Sequence, residues 1–155
     1  MRKIILINWI KKLNDFNYIK DLDNVYINWD LYLSDNNLKE FNYNKSINWS
    51  LNLYYNNLTE FNYNYPTNWN LNLAYNNLKE FNYNKEISWY LNLSNNHLTE
   101  FSYNKSINWG LYLSNNNLKE FNYNHPINWF LDLENNNLNI TKKDLKCKVK
   151  YNIFL

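Results

Sequence analysis

Residues 47–66 read INWSLNLYYNNLTEFNYNYP, and the same text returns with scattered substitutions at 27–46, 67–86, 87–106, 107–126 and 127–146. Tryptophan marks the period at 29, 49, 69, 89, 109 and 129, with no insertion or deletion between the first and the last, and another stands at Trp9. A fixed period of this length is the signature of a solenoid, in which each coil buries its apolar positions against the coils on either side. Inside the coil, Ile47, Trp49, Leu51 and Leu53 alternate with Asn48, Ser50, Asn52 and Tyr54. That period of two predicts a strand with one face buried, and it assigns the tryptophan to the inward phase. Because each strand returns in the same direction after a full circuit, neighbouring strands must be parallel and about 4.8 Å apart, so six coils make a sheet about 30 Å long. Roughly ten residues rich in Asn and Tyr remain for the return path, a composition that predicts extended or turn-rich backbone with few or no helices outside the caps.

The ends depart from the pattern. Residues 1–26 read as an N-terminal cap, a degenerate repeat in which Ile5, Trp9, Leu13 and Phe16 also fit one face of a helix. Six repeats occupy 27–146. In 147–155, Cys147, Val149, Tyr151 and Ile153 fall on the phase of Ile127, Trp129, Leu131 and Leu133, which predicts a capping strand. Its outward Lys148 and Lys150 would guard the open sheet edge.

Composition excludes several classes of function. The formal net charge is +2 and the chain is 45% hydrophobic and 19% aromatic, so neither nucleic acid nor an acidic membrane is implied as partner. Low glycine and abundant asparagine would suit a disordered chain, but the fixed phase of Leu, Ile, Phe and Trp does not. A single cysteine, Cys147, allows no internal disulfide. The opening MRKIILINWIKK has a basic start and a short apolar run but no small-residue cleavage site, which points to an intracellular, cytoplasmic protein. His97 and His125 occupy different phases of the repeat, so the sequence offers no catalytic constellation, no metal site and no cofactor site.

Leu51-x-Leu53-x-x-Asn56-x-Leu58 resembles the leucine-rich-repeat core, and the match recurs from Leu31, Leu33, Asn36 and Leu38 to Leu131, Leu133, Asn136 and Leu138. The short repeat and its asparagine-rich style are similar to the leucine-rich-repeat families of entomopoxviruses and other large DNA viruses. The resemblance covers residues 27–138 and implies a solenoid with a leucine-rich-repeat-like parallel sheet whose usual role is protein binding. One departure is regular: the family's first leucine falls at Asn28, Asn48, Asn68, Ser88, Asn108 and Asn128. The asparagines at the bend, Asn36, Asn56, Asn76, Asn96, Asn116 and Asn136, are expected to form a structural ladder, since a chain leaving a buried strand must satisfy its backbone polar groups.

Comparison of the coils with one another separates frame from display. The columns beginning at Asp30, Tyr32, Ser34 and Asp35 vary from coil to coil, and they present Tyr32, Tyr54, Tyr55, Tyr75, Tyr90, Tyr112 and Phe130 among Asn and Ser. Such a neutral aromatic surface has the chemistry of a protein-binding face. The expected role is a non-enzymatic protein–protein interaction module, monomeric or weakly self-associating. A self-associating structural solenoid and a carbohydrate-binding surface are the alternatives.

Overall fold

The computed structural model describes residues 27–155; the cap expected over 1–26 lies outside the described residues. Among the described residues seven parallel strands follow one another in a single sheet, and this part of the chain winds into a solenoid of about six turns. The strands are β1 (Leu31–Tyr32), β2 (Leu51–Asn52), β3 (Leu71–Asn72), β4 (Tyr90–Asn92), β5 (Gly110–Tyr112), β6 (Phe130–Asp132) and β7 (Asn152–Phe154). From β1 to β6 the register advances by one repeat per strand, so Leu51 pairs with Leu71 and Leu71 with Leu91. Among the described residues the one helical element is a single 3-10 turn at Lys142–Asp144.

The coils over 47–126 bury the same set of side chains, with Thr67 at the isoleucine position of the third. In the second coil these are Ile47, Leu51, Leu53, Leu58, Phe61 and Tyr63, and the set recurs in register above it. The phenylalanines stack along the axis at centroid distances of 6.2–6.4 Å with ring planes within 9–14° of parallel. Burial of these columns supplies the main drive for winding, since no coil can hide its apolar edge alone.

The tryptophans are not inward. Trp49 to Trp129 are 37–41% exposed and Trp29 is 66% exposed. The chain makes a lone bridge at Ile47, bends at Asn48 and Trp49, and enters the strand only afterwards, so the alternation counted from Ile47 is broken before it reaches the ring. What orders the indoles is one another. From Trp49 to Trp129 they stack at 4.7–5.3 Å with planes 8–14° apart, and the backbone below them is tied coil to coil by Trp89 N donating to the Trp69 carbonyl at 2.9 Å. Trp69→Ala should therefore remove two stacking contacts and part of their buried area, a loss of about 1–3 kcal/mol in a urea titration. A loss as large as that of a buried leucine would return the ring to the interior, and no loss would make the ladder ornamental.

The capping strand is also displaced. Val149 bridges Ile127 and Ile153 pairs with Leu131, two residues further along than the expected alignment of Cys147 with Ile127. The turn at Lys142–Asp144, closed by Thr141 N and Oγ1 donating to the Asp144 carboxylate at 2.7 and 2.8 Å, takes up the extra length. Tyr151 thereby caps the indole ladder, its ring 4.3 Å from that of Trp129.

Candidate functional site

The asparagine ladder sets the bend on which the display residues sit. Asn76 Nδ2 donates to the carbonyls of Leu73 in its own coil and Leu53 in the coil before, both at 3.0 Å, while its Oδ1 accepts from Leu58 N at 3.0 Å. Asn56, Asn96, Asn116 and Asn136 repeat this pattern, and Asn36 donates to the Ser34 carbonyl at 2.7 Å. One amide thus satisfies backbone groups in two coils at once.

A second ladder, invisible in the alternation pattern, holds the opposite corner. Tyr63 donates its hydroxyl to the Lys45 carbonyl and accepts from Ile47 N, each at 2.9 Å, where the chain steps from one coil to the next. Tyr83 does the same with the Tyr65 carbonyl at 2.6 Å and Thr67 N at 3.1 Å. Tyr103 and Tyr123 donate to Lys85 and Lys105 at 2.9 Å. Burial pushes the Tyr83 hydroxyl pKa up to about 12 and those of Tyr63, Tyr103 and Tyr123 higher still.

Between these ladders the aromatic display residues divide into two groups. Tyr54, Tyr55 and Tyr75 form one: Tyr54 meets Tyr75 edge to face at 5.2 Å, and Tyr55 lies 6.0 and 6.1 Å from the other two rings. All three are exposed, by 38–56%. They stand on the bend beyond the strand rather than on the strand face itself, and the backbone at Tyr55 and Tyr75 is left-handed, with φ of 54° and 55°. The equivalent positions Asp35, Asn95, Asn115 and Asn135 share this conformation. Asp and Asn tolerate it; tyrosine is uncommon there.

The second group runs along the strands. Tyr90 opens β4, Tyr112 closes β5 and Phe130 opens β6, with Tyr90 set edge to face on Tyr112 at 6.1 Å and Tyr112 stacked on Phe130 at 4.9 Å. Phe154 of β7 extends the row, 5.0 Å from Phe130, a partner hidden from the sequence by the shifted register. Gly110 makes room for this packing, because a β-carbon there would lie 3.0 Å from the Tyr112 ring. Tyr32 stands apart, its hydroxyl donating to Asp30 Oδ2 at 3.2 Å. Burial first, then the carboxylate of Asp30 or Asp132, raises the hydroxyl pKa of Tyr32 and Tyr112.

Not every varying column is displayed. Ala74, Ser94 and Ser114 are buried where Tyr54 and Glu134 are exposed, so that column belongs half to the core. The glutamates at 40, 60, 80, 100 and 120 line the exposed return side. Among the described residues no group of His, Cys, Asp and Glu is arranged to hold a metal ion, and no helix is long and apolar enough to cross a membrane. Comparison with protein-family models, with curated proteins and with solved structures finds no match.

Proposed function

We propose that this protein is a non-enzymatic interaction module that holds a protein partner on the strand side of the solenoid, through Tyr54, Tyr55 and Tyr75 and through the row Tyr90, Tyr112 and Phe130. The observation that supports this reading is the pair of tyrosines at left-handed backbone. Two adjacent coils carry a bulky ring where four others carry Asp or Asn, against the local conformational preference, and the rings stay exposed. A purely structural pressure would favour the small polar residue. Aromatic side chains on a rigid frame provide much contact area at little entropic cost, which is the chemistry of binding surfaces. The leucine-rich-repeat resemblance points the same way, and its likeness to repeat families of large DNA viruses would make the partner a host protein.

A self-associating solenoid is the second reading, favoured by the half-exposed indole ladder along one edge of the sheet. Replacing Tyr54, Tyr75, Tyr90 and Phe130 together by serine should lower the melting temperature through the lost ring contacts but keep the far-UV circular dichroism of the solenoid, while abolishing capture of a cellular partner below the melting transition. Replacing Glu40, Glu80 and Glu120 by glutamine should leave capture intact. Loss with the glutamine set and retention with the serine set would place the binding face on the return side. Light scattering that shows large assemblies of the purified protein, with no partner captured, would favour self-association.

A further inference from the structure

Over the six repeats the charges in the varying strand-side columns all have one sign. The four varying columns, followed through all six coils, carry Asp30, Asp35, Asp132 and Glu134 and not one lysine or arginine, in a chain with 16 basic residues and a net charge of +2. The flanking columns, from Asn28 to Asn128 and from Asn37 to Asn137, contain no basic residue apart from His97. Among the described residues Lys39, Lys79 and Lys119 adjoin the glutamate column on the return side, while Lys148 and Lys150 flank Val149 where the seventh coil pairs with Ile127. In the six repeats the varying strand-side columns therefore carry negative charge alone, placed in the first and last coils, with most of the aromatic rings between them.

Two of its carboxylates are already engaged. Asp30 accepts from Ser50 N at 2.8 Å and from Tyr32, and Asp132 accepts from Glu134 N at 3.1 Å. Asp35 and Glu134 are exposed and hydrogen-bond to nothing through their carboxylates among the described residues. Asp35 sits one coil before Tyr55, joined to that bend by its own N–H donating to the Tyr54 and Tyr55 carbonyls at 2.9 and 3.1 Å. Glu134 lies in the same coil as Phe130, four residues further along the chain and two beyond Asp132, the residue paired with Phe154. Each aromatic group thus has one free carboxylate at its outer end. The molecule also contains the corresponding contact: Lys150 Nζ lies 5.2 Å from the centre of the Tyr151 ring.

We propose, resting on the strand-side reading above, that the occupant of this face is an extended, arginine-bearing segment of a protein partner. A guanidinium stacks on tyrosine and phenylalanine rings while pairing with a carboxylate, which is the combination offered at Tyr54, Tyr55 and Tyr75 with Asp35, and at Phe130 with Glu134. Five coil steps separate the two places, about 24 Å at ~4.8 Å per coil. An extended peptide covers that distance in about seven residues. The partner's basic side chains are expected at that spacing, and each would be read independently at physiological salt because the gap exceeds the screening length.

The test uses the full chain and two fluorescein-labelled Gly/Ser peptides, one with arginine pairs about seven residues apart and one with glutamate in their place. Fluorescence anisotropy should give at least about tenfold tighter binding of the arginine peptide, weakening as salt is raised, and about a tenfold loss on combining Asp35→Asn with Glu134→Gln. Asparagine tolerates the backbone at position 35, so the variant should melt with the parent. Equal binding of the two peptides overturns the proposal, as does an arginine affinity that ignores both neutralisations. A cellular partner lost with the four serine substitutions but indifferent to the neutralisations would refute the cationic segment while leaving the strand-side reading standing. Arginine-peptide binding that disappears only with Glu40, Glu80 and Glu120 changed to glutamine would move the site to the return side and refute both.

Discussion

Asn76→Ala should destabilise the solenoid by about 1–3 kcal/mol, more than removal of an asparagine from the strand face of the same coil. The side chain is buried, and its removal leaves Leu58 N without its partner, while the carbonyls of Leu53 and Leu73 each lose one donor and keep another, Asn56 Nδ2 and Asn96 Nδ2, both at 3.0 Å. These groups belong to two coils, and water cannot reach them without opening the stack between the coils. One orphaned buried donor costs about 1–3 kcal/mol. Asn72 supplies the control. It lies on the strand in the same coil, and its Oδ1 accepts only from Ala74 N at 3.1 Å in a partly wet site, so Asn72→Ala should cost under about 1 kcal/mol. Urea denaturation of the two variants decides the matter, and equal losses would remove the distinction between ladder and surface asparagines.

Alkali should unfold the protein over a window set by the tyrosine corner. In an unfolded chain phenols ionise near pH 10. In the fold, burial holds Tyr83 neutral to about 12 and Tyr63, Tyr103 and Tyr123 beyond it. The neutral form is the one the fold favours. The stability these tyrosines contribute is therefore complete below about pH 10 and is lost progressively as the pH rises through the folded values. The melting temperature should be flat up to about pH 10 and fall steeply above it, with tyrosinate absorbance of the buried rings appearing together with loss of the circular dichroism signal. Tyr83→Phe gives up the bonds to the Tyr65 carbonyl and Thr67 N, so it should be less stable at neutral pH yet show a shallower alkaline fall. Buried rings that ionise fully while the fold persists would show that the corner hydroxyls are wet.

The asparagine ladder could be read from the chain because its cause is local. A chain leaving its strand through the buried Leu53 must bend, the bend exposes backbone groups to a dry interior, and an amide three residues on can reach both its own coil and the one before. The left-handed positions were not read from the chain: Asp35, Asn95, Asn115 and Asn135 are residues such a backbone prefers, but Tyr55 and Tyr75 in the same column gave it the look of a display column alone. The tyrosine corner was not legible. Tyr63 shares the inward phase with Phe61 and looks like more core, and only the meeting of its hydroxyl with Lys45 and Ile47 across the step between coils gives it a distinct role.

The sequence by itself determined the period, the parallel pairing of coil on coil, the leucine and phenylalanine core and the columns free to vary, because all of these follow from spacing repeated without interruption. Tertiary structure alone decided where the tryptophans point, how Val149 and Ile153 align with the coil before them, and which of the displayed rings meet. A bend of two residues at Asn48 and Trp49 reverses a side chain's face without changing the period, and a turn at Lys142–Asp144 shifts the register of everything after it. Spacing along the chain records neither, since both depend on the path the backbone takes between positions and on the neighbours it finds there.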